Sequence, residues 1–458
     1  MLCAVWLGFP RREGGMGLRG LVLLVARVMR SAWPLVVAEA SFSILNVTDM
    51  FFVSRLGAAA VAGVGVGGYV QWLLGTVFTL FYIGGMVLVS QAWGAGKKEE
   101  ASRVLAETIS SSLLFSLGWG VLALLAAPLL VGFVSSDPVT ARLGTTYLTV
   151  FILGYPFNAL MIVLDGVLRG VGANMGVLWG SIVAVVVNAV LDPLLIFYAG
   201  FGVAGAALAS IAGNFAGAVA MLVLLEQLTG LRLAIAWPGR AAAQVIRVGT
   251  PAMVERMLFA GGNYFYIGSV SSCGRDALAA HALGVRVESF AYMPAFALLT
   301  YASSEVGQLV GANRLEEAKE RGWEIAKASA GFMVLAGLGL IAVSPLVAIG
   351  FAPTRTIGKL VILYLFLAAV SEPALGLVMG IGGAIRGAGN TVIPTIINLV
   401  GLYAVRVAPS LLLVGRLGGG TLCPLTAWLI MDLDLAVRAL VFTYVYKKYF
   451  HRLARKLV

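Results

Sequence analysis

Twelve apolar runs, each long enough to cross a lipid bilayer, constrain this chain more than any other feature of its sequence. A transmembrane helix needs about 20 mostly apolar residues, and only helices or closed barrels satisfy every backbone polar group inside lipid. With 60% hydrophobic and 12% charged residues over 458 positions, the chain is predicted to be an all-α polytopic membrane protein. The predicted spans are residues 32–53, 62–92, 107–133, 143–166, 176–199, 203–228, 244–271, 277–310, 325–351, 358–384, 392–415 and 420–446.

A repeat with a constant offset of 217 residues divides the chain into two halves. Six helices in each half, an even number, make the repeats parallel and predict two six-helix bundles related by a pseudo-two-fold axis along the membrane normal. We predict an N-terminal lobe at residues 1–228, a cytoplasmic linker at 229–243 and a C-terminal lobe with a basic cytoplasmic tail at 244–458. The repeated positions include Pro34, Gly57, Gln91, Gly94 and Arg169, which recur as Pro251, Gly274, Gln308, Gly311 and Arg386.

Basic residues are distributed unequally over the predicted loops. Of the 32 Lys and Arg residues, 22 fall in one set of alternate loops and in the two tails, six fall in the other set, and four lie within or at the edge of spans. Because basic loops stay on the cytoplasmic side, both termini are predicted to be cytoplasmic in a protein of the cell membrane. The net charge of +11 is thereby explained as a topology signal, and nucleic acid is not an expected partner.

Cysteine and histidine are too few and too scattered to form the usual metal or catalytic sites. Cys3, Cys273 and Cys423 are far apart, as are His281 and His451, so neither a disulfide framework nor a metal site is predicted. No serine, cysteine or histidine has the surroundings of an activated nucleophile. We therefore predict neither an enzymatic activity nor a bound cofactor.

The most unusual stretch inside a predicted span runs from Asn188 to Pro193. A carboxylate at the centre of a span costs about 2.5–3.5 kcal/mol on insertion scales, so Asp192 is expected to face a cavity or a partner rather than lipid. Asn188 lies one turn earlier on the same helix face, and Pro193, which has no N–H, leaves the carbonyl oxygen of Ala189 free beside the carboxylate. These groups predict a site for a proton or a small hard cation; the alternative is an internally paired, structural Asp192.

The first span supplies a second carboxylate at the same depth. Asp49 lies about six residues from Arg55 and Asp192 about seven from Ala199, so at about 1.5 Å per residue both lie roughly 10 Å from the outer boundary. Two carboxylates that meet in a desolvated pocket favour binding of one proton between them; alternatively, they face different cavities. Other polar residues on the first, fourth, fifth and sixth spans are predicted to share this interior: Glu39, Ser43, Asn46, Tyr147, Tyr155, Asn158, Ser181, Ser210 and Asn214.

The repeat confines this carboxylate chemistry to the first half. In the second half, the positions equivalent to Asp49, Asn188 and Asp192 are Tyr266, Val405 and Pro409. Buried charges of both signs occur there in similar numbers, which favours internal ion pairs. Glu255 and Glu372 are second-rank candidates for contact with a substrate or a cation.

Pro34 precedes Asp49 by about four helical turns. Such a proline either marks the start of the helix or introduces a kink. The second possibility predicts a hinge that bends when the charge of Asp49 changes.

Together these segments resemble the multidrug and toxic compound extrusion (MATE) transporters, whose superfamily also contains flippases of lipid-linked oligosaccharides. The resemblance covers nearly the whole chain. It is most similar to the prokaryotic DNA-damage-inducible (DinF-like) branch, because the carboxylate pair is confined to the first half. It rests on residues 34–49, on 90–96 with their repeat 307–312, on 168–172 with their repeat 385–391, and on 188–193.

The resemblance implies a secondary active antiporter that exports amphipathic, often cationic compounds in exchange for protons or sodium ions by alternating access. It implies that Asp49, Asn188 and Asp192 form the cation site, with Tyr147 and Ser210 as neighbours. Expected partners are small amphipathic or cationic substrates, H⁺ or Na⁺, and membrane lipid, in a protein that functions as a monomer. A flippase for a lipid-linked substrate is the alternative, since a basic cleft could include Arg256, Arg286 and Arg406.

Overall fold

The computed structural model describes residues 18–232, 236–416 and 420–458, with the side chains of Leu18, Phe42, Ser43 and Gly415 outside that description. Helices joined by short turns make up these ranges, which contain no β-strand. The helices of the first half are α1 (Leu18–Ser54), α2 (Ala58–Gly94), α3 (Lys98–Val134), α4 (Pro138–Leu153), α5 (Tyr155–Val171), α6 (Asn174–Tyr198) and α7 (Val203–Thr229). Those of the second half are α8 (Arg240–Ser271), α9 (Arg275–Gly311), α10 (Leu315–Gly350), α11 (Arg355–Gly387), α12 (Val392–Leu413) and α13 (Leu422–Leu453).

These helices account for all twelve predicted spans. Within the described residues, nine helices are long and apolar enough to cross a membrane, and the bent pair α4 and α5, which meet at 61°, makes ten. The other two long helices, α8 and α13, have 32 residues each and carry charged residues along their length. The predicted all-α class is therefore confirmed.

Several helices begin well before the apolar run that predicted them. Glu99 and Glu100 lie in the first turn of α3, and Glu316 and Glu317 lie in the first turn of α10. Carboxylates at a helix N-terminus are stabilised by the unpaired backbone N–H groups there, so these polar turns stay helical outside the apolar run. Helix α1 likewise extends back to Leu18 with Pro34 in its interior, so Pro34 does not mark a helix start.

The chain divides into two compact units. One unit comprises residues 34–257, 307–313 and 456–458, and the other comprises residues 18–33, 258–306 and 314–455. The lobe boundaries predicted around the linker at 229–243 stay a prediction. Parts of that prediction, residues 1–17 and 233–235, lie outside the described residues.

Glycines permit the same close helix contact in both units. A Cβ atom on Gly166 of α5 would lie 2.8 Å from the carbonyl oxygen of Tyr82 in α2. One on Gly383 of α11 would lie 2.1 Å from the carbonyl oxygen of Leu299 in α9. Gly383 and Leu299 follow Gly166 and Tyr82 by 217 positions each, so the sequence repeat is also a repeat of helix packing. Small residues let helices approach one another closely in lipid. A Cβ atom on Gly170 would likewise lie 2.8 Å from the carbonyl oxygen of Met86, and one on Gly387 would lie 2.1 Å from the carbonyl oxygen of Ser303.

A disulfide between Cys273 and Cys423 corrects the prediction that the cysteines form no bridge. The two residues are 150 positions apart in sequence, but their Cα atoms are 5.5 Å apart. Cys273 follows the end of α8 and Cys423 lies in the first turn of α13. The sequence did not predict this pair, because the distance between two residues along the chain does not show which helix ends become neighbours in the fold.

Candidate functional site

Four helices bring the two first-half carboxylates into one buried polar group. Asp49 of α1 lies beside Asp192 and Asn188 on α6, with Oδ2 3.5 Å from Ser210 Oγ on α7, and Tyr147 of α4 lies beside Ser210. Asp192 and Asn188 are fully buried, and Asp49 is 9% exposed. The depths worked out from the sequence therefore correspond to a real meeting of Asp49 with Asp192.

A short hydrogen-bond chain runs through this group, which we call the carboxylate pocket (Asp49, Tyr147, Asn188, Asp192 and Ser210). Asn188 Nδ2 donates to Ser210 Oγ at 3.3 Å. The Ser210 hydroxyl lies 3.5 Å from Asp49 Oδ2 and 3.1 Å from the carbonyl oxygen of Ala206, one turn earlier on α7. Because a hydroxyl has one proton to donate, Ser210 can turn it either toward the carboxylate or toward its own helix.

The carboxylate pocket has more acceptor oxygens than donors. Asp49 Oδ1, Asn188 Oδ1 and both carboxylate oxygens of Asp192 are buried and receive no hydrogen bond from the part of the chain that the structure describes. No salt bridge within the described ranges pairs either aspartate with a basic side chain. Four buried oxygens, three of them from carboxylates, suit a proton or a hard cation, which prefers oxygen ligands.

Two local features set the geometry of α6 and α7 at the pocket. After Pro193, which cannot donate a backbone hydrogen bond, α6 widens into a π-helical turn at Leu194–Tyr198; π turns are frequent at functional sites. On α7, a Cβ atom at Gly213 would lie 2.7 Å from the carbonyl oxygen of Ala184 and 3.1 Å from Asn188 Cβ. The absence of that atom lets α7 approach α6 closely enough for Ser210 to reach Asn188.

Other residues predicted to share this interior lie elsewhere. Glu39 belongs to a separate ion network, and Asn46 is exposed. Asn158 and Asn214 are half-buried, and no hydrogen bond connects them to the carboxylate pocket in the described residues. The side chain of Ser43 lies outside the described residues.

The ion network around Arg169 is absent from the sequence predictions. Arg169 is one of the 22 basic residues assigned to the cytoplasmic loops and tails, but it is only 1% exposed and lies in the last turn of α5. It is therefore a buried helix residue rather than a loop residue, and its place on the cytoplasmic side stays a prediction. Its Nη1 lies 3.0 Å from Glu39 Oε1 on α1, and its Nε lies 3.0 Å from Asp165 Oδ2. The i, i+4 spacing of Asp165 and Arg169, which places them on one helix face, is the sequence signal that predicts part of this network.

The second-half charges divide into a paired group and an unpaired group. Arg406 Nε lies 2.9 Å from Asp434 Oδ2, and Arg438 binds the same carboxylate, which confirms ion pairing for Arg406. Glu372 is 1% exposed, and neither of its oxygens receives a hydrogen bond from the described residues. The charged groups that act on it are two further carboxylates, Glu288 and Asp432.

Glu255, the other second-rank candidate, is half-buried on α8 and has interaction partners of its own. It lies in the unit that contains residues 34–257, whereas Glu372 lies in the unit that contains residues 314–455. Glu255 and Glu372 are therefore two separate candidates for contact with a substrate or a cation, one in each unit.

Comparison with known proteins identifies the family. The MatE family model matches the chain twice, over residues 34–194 and 251–412, and the two matches begin 217 residues apart, as the repeat requires. Among similar proteins, a probable multidrug resistance protein NorM of Thermotoga maritima is 25% identical over 86% of both chains. Another, from Burkholderia pseudomallei, is 27% identical over 83% of this chain and 84% of its own length.

A solved structure shares the fold. The Vibrio cholerae MATE transporter VcmN in the bent form has a TM-score of 0.86 at 20% identity and covers 94% of this chain and 98% of its own. The predicted fold of twelve helices in two bundles agrees with this similarity.

The relatives are multidrug transporters, so the flippase alternative gains no support. The assignment to the DinF-like branch stays a prediction. The chain is a multipass membrane protein that belongs to the MATE family of multidrug efflux transporters.

Proposed function

We propose that the chain is a secondary active antiporter that exports amphipathic, often cationic compounds and binds its coupling ion in the carboxylate pocket. The observation that carries this proposal is the set of four buried oxygens of Asp49, Asn188 and Asp192 without donors. Burying uncompensated charge is costly, so two adjacent aspartates need a proton or a cation. The coupling ion, H⁺ or Na⁺, is thus a transported substrate of this site.

The coupling mechanism follows from the position of Asp49 on α1. When both carboxylates are charged they repel one another, and binding of a cation removes that repulsion and allows α1 to move toward α6. Pro34 lies inside α1, and proline is the usual cause of a helix kink, so we place the hinge there. A ligand shifts such an equilibrium only through its different affinity for the two states.

Orientation in the membrane is part of the proposal. Both termini lie in the cytoplasm and the transporter works in the cell membrane as a monomer. Disulfides persist in oxidising compartments. The Cys273–Cys423 bridge lies at helix ends that the distribution of basic residues assigns to the outer side, and it supports this orientation.

The proposed function is tested by transport in proteoliposomes that contain the purified protein. A panel of fluorescent cationic dyes is followed under a proton gradient alone and under a sodium gradient alone. We expect dye movement against its own gradient under at least one ion gradient and none when that gradient is collapsed by an ionophore. Dye movement that is equally fast without any ion gradient contradicts antiport.

A further inference from the structure

The last helix, α13, presents one outward apolar stripe that ends in aromatic and basic residues. Leu429, Leu433 and Leu440 are 47%, 55% and 63% exposed, and Tyr444 is 56% exposed. These positions recur at intervals of four or seven residues and therefore lie on one helix face. Lys447 and Lys448 follow Tyr444 on the same side and are exposed.

Aromatic rings hold both lysines in place. Lys447 Nζ lies 4.7 Å from the ring centroid of Trp323 on α10. Lys448 Nζ lies 2.9 Å from the Tyr444 hydroxyl and 5.4 Å from the ring centroid of Tyr449. Tryptophan and tyrosine are enriched at the level of lipid headgroups because one end of each side chain is apolar and the other polar.

The basic side chains of this surface have no acidic partner among the described residues. Of the acids on α10, Glu316 lies 3.5 Å from His451 Nε2 and Glu324 pairs with Arg321. No salt bridge in the described residues joins a carboxylate to Lys447 or Lys448. Arg452, one turn beyond Lys448, is exposed as well. An anion would therefore meet two positioned ammonium groups, with the Arg452 guanidinium one turn away.

We propose that this surface, formed by Trp323, Tyr444, Lys447, Lys448 and Tyr449, is a binding site for the headgroup of an anionic phospholipid. The lipid phosphate would lie between the two ammonium groups, and an acyl chain would follow the leucine stripe. The continuity of the apolar stripe with the basic end favours a lipid over a free phosphate or a nucleic acid. Basic surfaces between or beside helix ends are known to recognise anionic headgroups.

The proposal is tested by lipid titration of the full-length protein in detergent, followed by native mass spectrometry. Wild-type protein is compared with Lys447→Gln/Lys448→Gln, and phosphatidylglycerol with phosphatidylcholine. We expect wild type to prefer phosphatidylglycerol and the double variant to bind it about 25-fold more weakly, at roughly fivefold per lysine. Phosphatidylcholine binding should stay unchanged.

Two further variants control for folding and for total charge. The Lys447→Arg/Lys448→Arg protein keeps the charge and should keep the preference for phosphatidylglycerol. Unchanged phosphatidylcholine binding by the Lys447→Gln/Lys448→Gln protein shows that its loss of preference does not come from unfolding. Arg240→Gln/Arg247→Gln removes the same charge from exposed positions of α8 and should leave the preference unchanged. The proposal is overturned if the Lys447→Gln/Lys448→Gln protein still prefers phosphatidylglycerol. An equal loss in the Arg240→Gln/Arg247→Gln protein, or full competition by inorganic phosphate, overturns it as well.

Discussion

Replacement of Arg169 by methionine should destabilise the protein strongly, although Arg169 is outside the carboxylate pocket. The guanidinium is 1% exposed and joins Glu39 of α1, at 3.0 Å, to Asp165 of its own helix, at 3.0 Å. Removing one partner from a buried ion pair costs about 3–5 kcal/mol, because the remaining charges stay buried without compensation. Two carboxylates are left here, but the side chains of Glu39 and Asp165 are 21% and 15% exposed, so the lower part of that range is expected.

The surface pair Arg103–Glu100 provides a matched control. Its atoms approach to 2.7 Å, closer than those of the Arg169 pairs, but its side chains are 54% and 25% exposed. Exposed pairs contribute about 0–1 kcal/mol because water screens them, so Glu100→Gln should have little effect. The comparison separates burial from distance as the origin of the effect.

The assay is thermal unfolding of purified protein in detergent, combined with a double-mutant cycle. Arg169→Met, Glu39→Gln and the double variant are compared, and the coupling energy should be at least about 1 kcal/mol if the two side chains act as a pair. Asp165→Asn leaves the link from α5 to α1 intact and should cost less than Arg169→Met. If Arg169→Met lowers the melting temperature no more than Glu100→Gln, the assignment of a buried network is wrong.

Three further predictions concern packing, the disulfide and the pocket. Gly249→Ala should lower the free energy of unfolding by about 1–3 kcal/mol, since the new Cβ atom would lie 1.8 Å from the carbonyl oxygen of Leu80. The control is Gly118→Ala, whose Cβ atom would have nothing within 4 Å and which should raise the melting temperature slightly. Reduction of the Cys273–Cys423 disulfide, which joins residues 150 positions apart, should lower the melting temperature. Loop entropy limits the loss in free energy of unfolding to about 5 kcal/mol. An unchanged melting temperature contradicts this prediction. Ser210→Ala removes one donor to Asp49, worth about 1 kcal/mol, so the ion concentration for half-maximal transport should change about fivefold in a transport titration, and no change contradicts the role of Ser210.

The helices were predictable because each apolar run has to satisfy its own backbone hydrogen bonds in lipid. Their ends were less so. Glu99 and Glu316 extend helices beyond the apolar runs, since the N-terminal turn is stabilised by acidic residues rather than by lipid. The approach of Gly166 to Tyr82 was not predictable, because a sequence does not tell which backbone a glycine touches.

The carboxylate pocket was predictable for a different reason. Asp49 and Asp192 are expensive inside a membrane, so each had to face the protein interior, and counting residues from the outer ends placed them at one depth. Arg169 was counted among the loop residues because basic residues close to a helix end are normally in loops. Only the structure shows that Glu39, on a helix far away in sequence, reaches it at 3.0 Å.

The most direct test of the central claim is ion-driven transport by Asp49→Asn and Asp192→Asn in proteoliposomes. Each substitution keeps the size of the side chain and removes the charge that the coupling ion has to neutralise. We expect dye export driven by the ion gradient to fall to the level of protein-free liposomes, while dye binding measured at equilibrium stays within about twofold of wild type. Export at the wild-type rate by either variant contradicts the assignment of the carboxylate pocket as the coupling site.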